Sequence, residues 1–126
     1  MRYADLTHIK LHYREDGDPN GPALVFSNSL GTDLRLWDPI LPYLSKNFRI
    51  IRYDKRGHGL SECPSGPYSM GALIRDAEAL LDYLNVANCV LIGLSIGGMI
   101  AQGLAAKRLD MVHALVLSNT GAKIGT

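Results

Sequence analysis

The chain has 126 residues, of which 47% are hydrophobic and 20% charged, and its formal net charge is +1. This composition is typical of one ordinary globular domain and excludes a disordered or fibrous chain. The 13 basic residues are scattered and no apolar run approaches the ~20 residues of a membrane span, so we expect neither a nucleic-acid partner nor a membrane partner. The first residues lack the apolar segment of a signal peptide, and a cytoplasmic protein is expected.

The first elements in chain order are strands. Residues 9–14 alternate apolar and polar side chains, which predicts a strand with one solvated face, and residues 1–7 supply an antiparallel partner. Four later runs are short and continuously apolar, which is typical of strands that are covered on both faces of a parallel sheet. These runs are residues 23–26, 50–53, 89–92 and 114–117.

Helical patterns lie between these runs. Asp38 followed by Pro39 predicts a helix start. Apolar residues recur at helical spacing over residues 73–84, and residues 99–106 are apolar all round, which predicts a deeply buried helix. Because strands alternate with helices, the sequence predicts an α/β fold: a mainly parallel sheet with helices on both faces and an N-terminal antiparallel hairpin.

The most informative motif is G-x-S-x-G, formed by Gly93, Ser95 and Gly97 between a predicted buried strand and a predicted helix. This context is that of a nucleophile elbow. A sharp turn there strains the serine backbone and brings its neighbours so close that both flanking residues must be glycine. The helix N-terminus adds free N–H groups beside a developing oxyanion. We therefore predict that Ser95 is a catalytic nucleophile; the alternative is a glycine-rich turn with a solvated serine.

Three loops together carry a resemblance to a known family. Residues 26–33, residues 53–59 and residues 93–98 resemble the N-terminal half of an α/β-hydrolase. Within that superfamily, residues 26–33 and the exit from the last strand at residues 118–122 look like 3-oxoadipate enol-lactonase. The resemblance implies hydrolysis of a small-molecule enol-lactone to 3-oxoadipate, in the β-ketoadipate pathway of aromatic catabolism, without metal or organic cofactor.

The resemblance also assigns roles to single residues. The backbone N–H groups of Leu30 and Ile96 are expected to form the oxyanion hole, although residues 28–29 read Asn-Ser where the family usually has His-Gly. The loop that contains His58 is mostly structural in this superfamily, so His58 is a poor candidate for the general base. Trp37 is a possible wall of the substrate pocket and equally a core residue.

The rest of the triad is expected elsewhere. Triad partners follow the serine in the order acid, then histidine. After Ser95 only Asp110 and His113 remain, and both lie beyond a helix too long to bring them back to the elbow. We therefore expect residues 1–126 to be the N-terminal part of a single α/β-hydrolase domain, without the cap and the C-terminal core. The apolar edge at residues 114–117 is then expected to pair with the C-terminal half or with a second copy.

Two other functions stay open at this point. The first is another serine α/β-hydrolase, such as a carboxylesterase, a cofactor-free haloperoxidase or a C–C bond hydrolase. The second is a catalytically inert fragment that acts as a scaffold or binding module through its open sheet edge.

Overall fold

The sheet is the framework that positions every candidate residue. The computed structural model describes residues 2–6, 8–28, 34–61, 63 and 69–118. Within these ranges the strands are β1 (Arg2–Asp5), β2 (Lys10–Gly17), β3 (Ala23–Ser27), β4 (Arg49–Tyr53), β5 (Cys89–Leu94) and β6 (Val112–Ser118). They form one sheet in the order β1-β2-β4-β3-β5-β6.

The directions of the strands agree with the sequence-based prediction. β1 and β2 form an antiparallel hairpin, and β2 is also antiparallel to β4. β4, β3, β5 and β6 are parallel to one another, so they all end at the same edge of the sheet. All five residues of β3 are buried, as expected for a central strand covered on both faces. The predicted mainly parallel α/β fold with its N-terminal hairpin is confirmed.

Helical segments cover both faces of the sheet. A 3₁₀ helix (Leu34–Ile40) leads into the short α1 (Leu41–Leu44), and the longer helices are α2 (Met70–Tyr83) and α3 (Ile96–Lys107). Ser69 caps α2, because its side chain accepts a hydrogen bond from the backbone N–H of Ala72. Among the residues that the structure describes, no helix combines the length and apolar character needed to cross a bilayer.

Two apolar clusters hold these layers together. The larger one packs α2 and α3 against the sheet, and its fully buried members include Leu80, Leu81, Ile100 and Leu104. The smaller one packs the 3₁₀ helix and α1 against the opposite face, around Phe26, Leu24 and Ile50. The predicted arrangement of helices on both faces is therefore confirmed.

The predicted helix start at Asp38 and Pro39 is wrong. Pro39 lies inside the 3₁₀ helix, and α-helical geometry begins only at Leu41. The carboxylate of Asp38 pairs instead with Arg52, a β4 residue that is 1% exposed. Because a buried guanidinium is unfavourable without anionic partners, Arg52 recruits Asp38 together with Asp16 of β2. The third predicted helix also begins earlier than expected, at Ile96 rather than at residue 99.

β6 leaves apolar side chains open to solvent. It lies at one end of the strand order, next to β5. Leu115, Val116 and Leu117 are 37%, 53% and 40% exposed. An edge strand with this composition is a template for pairing with further polypeptide.

We predict that the larger cluster dominates folding stability. Leu80→Ala removes a fully buried side chain, and we expect it to lower the free energy of unfolding of the intact protein by about 2–5 kcal/mol. Leu109→Ala is the matched control, because Leu109 is 81% exposed, and its effect should stay within about 0.5 kcal/mol. Urea unfolding followed by circular dichroism measures both values, and equal losses in the two variants would contradict the prediction.

Candidate active site

Ser95 occupies a strained bend at the carboxyl end of the parallel strands. It follows β5 directly and α3 begins at the next residue, so the strand–turn–helix context of the motif is present. Its φ and ψ are 57° and −119°, and a positive φ is uncommon for any residue except glycine. Such a conformation costs about 1–3 kcal/mol and persists only where surrounding contacts enforce it.

Backbone hydrogen bonds supply part of that enforcement. The N–H of Ser95 donates to the carbonyl of Ser118 at the end of β6, at 3.0 Å. The carbonyl of Ser95 accepts from the N–H groups of Gly98 and Met99, at 2.9 and 3.3 Å. The bend is therefore anchored on one side to β6 and on the other to the first turn of α3, and the serine side chain belongs to a half-buried residue.

The flanking glycines are required by space. A Cβ added to Gly93 would lie 2.6 Å from the carbonyl oxygen of Gly97, and one added to Gly97 would lie 2.7 Å from that of Asn28. The carbonyl of Ser27 would be closer still to a side chain at Gly97. Since these neighbours are backbone atoms, they cannot move aside as a flexible side chain would. The two glycines thus allow α3 to start directly against the ends of β5 and β3.

Ile96 is placed as the first residue of α3. It is buried, and as a first-turn residue its N–H has no carbonyl acceptor within the helix. That arrangement is compatible with the oxyanion role that the sequence suggested. Leu30, the second expected donor, lies outside the described residues.

Asn28 connects the end of β3 with its surroundings. The residue is fully buried, and its side-chain oxygen accepts a hydrogen bond from the indole N–H of Trp37. Its backbone carbonyl accepts from Nζ of Lys55, at 3.0 Å. Trp37 itself packs on Phe26, with ring centroids 4.8 Å apart. The structure therefore places Trp37 as a support for Asn28, and its predicted place in a substrate pocket stays a prediction.

Asp54 organises the loop that follows β4. One carboxylate oxygen accepts from the N–H of Leu34 at 2.8 Å, and the other accepts from the N–H of Leu60 at 3.0 Å. Gly59, at φ +51°, lies so close that an added Cβ would meet this carboxylate. The same carboxylate binds Nδ1 of His12 at 2.8 Å. These contacts fit the mostly structural role that the resemblance implied for this loop.

Arg56 carries the brace to α2. Its Nε and Nη2 bind the two carboxylate oxygens of Asp76 at 2.6 and 2.8 Å, and Asp76 is 2% exposed. His8 reaches the same carboxylate through Nε2 at 3.1 Å. This bidentate pair ties the loop to the helix below it.

The buried pair of His12 and Asp54 was missed from the sequence. The alternation over residues 9–14 puts His12 on the predicted solvated face of the strand, yet it is 5% exposed and hydrogen-bonded. It does not serve Ser95, because β2 and β5 are separated by β4 and β3, which amounts to about 14 Å at ~4.8 Å per strand. His58 donates from Nδ1 to the carbonyl of Arg56, within its own loop. Only the strand order could have shown that His12 meets Asp54.

The two candidates that follow Ser95 in the sequence lie at the opposite edge. Val112 pairs with Cys89 and Ser118 with Leu94, so His113 is about 17 Å along the strand from the edge that carries Ser95. Asp110 is exposed beyond the far end of α3, and its hydrogen bond with Arg108 lowers its pKa. As expected, neither can complete a triad with Ser95.

Comparisons with known proteins give this geometry a context. A family model described as alpha/beta hydrolase fold matches residues 22–126. 3-Oxoadipate enol-lactonase 2 of Acinetobacter baylyi is 41% identical over 117 residues, which are 93% of this chain and 44% of that protein. A putative carbamate hydrolase of Stutzerimonas stutzeri is 34% identical over 114 residues, 89% of this chain and 42% of that protein.

Solved structures agree. The crystal structure of the enol-lactonase from Burkholderia xenovorans LB400 has a TM-score of 0.94 and 48% identity, and the match covers 98% of this chain and 48% of that one. The chain thus spans about half the length of the relatives it matches.

We predict that Gly97→Ala disrupts the bend. The new methyl group overlaps the backbone of residues 27 and 28, so we expect the free energy of unfolding to fall by about 1–3 kcal/mol and the reactivity of Ser95 to fall at least about tenfold. Gly71→Ala is the matched control, since Gly71 is also the second residue of a helix but its Cβ would meet nothing nearer than 3.4 Å. It should be neutral or stabilising by up to about 1 kcal/mol. Thermal unfolding and active-site labelling of the intact protein measure both effects, and equal behaviour of the two variants would refute the steric argument.

Proposed function

Because this chain belongs to the α/β-hydrolase family, we propose that it carries the nucleophile, Ser95, of a hydrolase that opens a lactone through an acyl-enzyme. The observation that supports this most directly is the backbone conformation of Ser95. Its φ of 57° is maintained between β5 and α3 by close backbone packing at Gly93 and Gly97, where no side chain fits. A strained, polar residue at the carboxyl edge of a parallel sheet is costly to maintain, and such strain concentrates at functional sites.

The proposed reaction has two steps. Oγ of Ser95 attacks the lactone carbonyl carbon and a histidine takes its proton, while the N–H groups of Ile96 and Leu30 hold the tetrahedral oxyanion. Collapse of this intermediate breaks the ring C–O bond, and the histidinium returns its proton to the leaving enolate, which becomes a ketone that stays part of the acyl chain. Water, activated by the same histidine, then attacks the acyl-enzyme, releases the open-chain keto acid and regenerates the Ser95 hydroxyl.

The histidine and the acid belong outside residues 1–126 in this proposal. The described candidates are too far from Ser95, and the matched relatives are about twice as long as this chain. We propose that residues 1–126 form the N-terminal part of one α/β-hydrolase domain, whose remaining half supplies these residues, covers β6 and selects the substrate.

The proposed substrate is the enol-lactone of 3-oxoadipate. Two relatives of Acinetobacter baylyi named 3-oxoadipate enol-lactonase, at 41% and 37% identity, support this choice, as does the enol-lactonase structure. The relative named putative carbamate hydrolase favours a second candidate, hydrolysis of another carbonyl substrate by the same serine. A comparison of kcat/KM for enol-lactone, aryl ester and carbamate with the intact protein separates the two.

We predict that Ser95 is the residue that reacts with a fluorophosphonate probe. In the intact protein, Ser95→Ala should abolish labelling and lower kcat by at least about 10³-fold, because the nucleophile is lost. Ser45→Ala, which changes a serine at the end of α1, is the control and should leave both unchanged. Mass spectrometry of the labelled peptide and a lactone hydrolysis assay measure the outcome. Persistent labelling of Ser95→Ala would rule out the proposed nucleophile.

We further propose that the open face of β6 is covered by the remaining half of the domain. If so, residues 1–126 produced alone should self-associate, because Leu115, Val116 and Leu117 stay exposed at a sheet edge. Val116→Lys adds a charge to this edge and should shift the population towards monomer. Size-exclusion chromatography with light scattering measures the mass of the unsubstituted chain and of the Val116→Lys variant. A stable monomer of the unsubstituted chain would contradict this proposal.

A further inference from the structure

Lys55 is a buried cation beside the end of β3. It is 1% exposed and follows Asp54 directly after β4. Its Nζ lies 3.0 Å from the backbone carbonyl of Asn28, which follows β3. Because β3 and β4 are parallel neighbours, both residues leave the sheet at the edge that carries Ser95.

Burying this ammonium is unfavourable. Burial lowers the pKa of Lys55 from 10.5 to about 8, and the nearby carboxylate of Asp54 offsets only part of the effect. An apolar side chain of similar length would avoid this desolvation. A lysine at this position therefore needs a reason beyond packing, and its hydrogen bond to the Asn28 carbonyl is a contact that an apolar side chain would lose.

Asn28 is held through both its side chain and its backbone carbonyl. Its side-chain oxygen is occupied by Trp37, and its Nδ2 has no partner within the described part of the chain. The backbone carbonyl is held by Lys55 on one side, and on the other it lies against Gly97 of the bend. Since a peptide unit is planar and rigid, holding this carbonyl fixes the backbone surface against which Gly97 packs.

We propose that Lys55 is a positioning residue for hydrolysis, which acts through the Asn28 carbonyl to keep the end of β3 in place against the first turn of α3 and so to hold the bend at Ser95. This inference rests on the proposed serine-hydrolase function and extends it to a residue that does not touch the substrate. Lys55 fixes the peptide group against which Gly97 packs, because the Asn28 carbonyl contacts the ammonium on one side and the first turn of α3 on the other.

Arg52 provides a matched control. It is also a cation that is 1% exposed, and it lies in β4, three residues before Lys55. Its hydrogen bonds go to Asp16, Asp38 and the carbonyl of Leu34 rather than to the Asn28 carbonyl. A general effect of removing a buried cation should therefore appear in both variants, whereas an effect transmitted through the Asn28 carbonyl should appear in Lys55 variants alone.

The test uses the intact protein with Lys55→Met, Lys55→Gln and Arg52→Met. For Lys55→Met we expect kcat to fall about 10–100-fold with KM within about twofold, and fluorophosphonate labelling of Ser95 to slow by the same factor. Lys55→Gln should recover part of this loss, because its amide can donate to the Asn28 carbonyl. Arg52→Met should keep kcat within about twofold even where its thermal midpoint falls. The concentration of folded protein is determined by circular dichroism and by the end point of labelling, and each rate is divided by that concentration.

The outcomes separate this proposal from the one on which it rests. Wild-type labelling at Ser95 together with unchanged kcat in Lys55→Met overturns the role of Lys55 and leaves the serine mechanism standing. A loss of kcat that is equal in Arg52→Met also overturns it, since the effect is then general. Wild-type protein that neither hydrolyses an ester or lactone nor labels at Ser95 overturns both.

Discussion

The packing of the first turn of α3 against the ends of β3 and β5 is the constraint on which the site depends. Gly97 contacts the backbone of residues 27 and 28, and Gly93 contacts the backbone of the first turn of α3, so no side chain fits at either position. This close approach forces Ser95 into its positive-φ conformation and places it half-buried rather than fully exposed. The strain is local, while the contacts that maintain it come from three parallel strands and one helix.

A second layer of polar contacts keeps the neighbouring loops in place. Asp54 accepts backbone N–H groups from the loops after β3 and β4 and also binds His12 of the edge hairpin. Lys55, the next residue, holds the end of β3 through Asn28. The short segment after β4 therefore connects the N-terminal hairpin, the 3₁₀ helix and the bend at Ser95. Since buried polar groups are costly when unpaired, this network admits few alternative loop conformations.

The sequence predicts those features that depend on local patterns. Continuous apolar runs identified the parallel strands, and the glycine spacing around Ser95 identified the bend, because steric limits there act between residues close in the chain. The contacts of Asp38 and His12 could not be predicted in this way. Asp38 has the sequence context of a helix cap, but Arg52, fourteen positions away, competes for its carboxylate. His12 meets Asp54 only because β2 pairs with β4, a pairing that skips β3.

Two buried cations, Arg52 in β4 and Lys55 in the loop that follows it, differ in the partners that their charges meet. Arg52 is neutralised by carboxylates that remain partly exposed, so its charge ties the 3₁₀ helix to the sheet at a modest desolvation cost. Lys55 binds a neutral carbonyl, and burial lowers its pKa to about 8 in spite of Asp54. A fold selected for stability alone favours the first arrangement. The second arrangement is expected where the orientation of one peptide group near Ser95 is important for activity, even though burying the lysine lowers the free energy of unfolding.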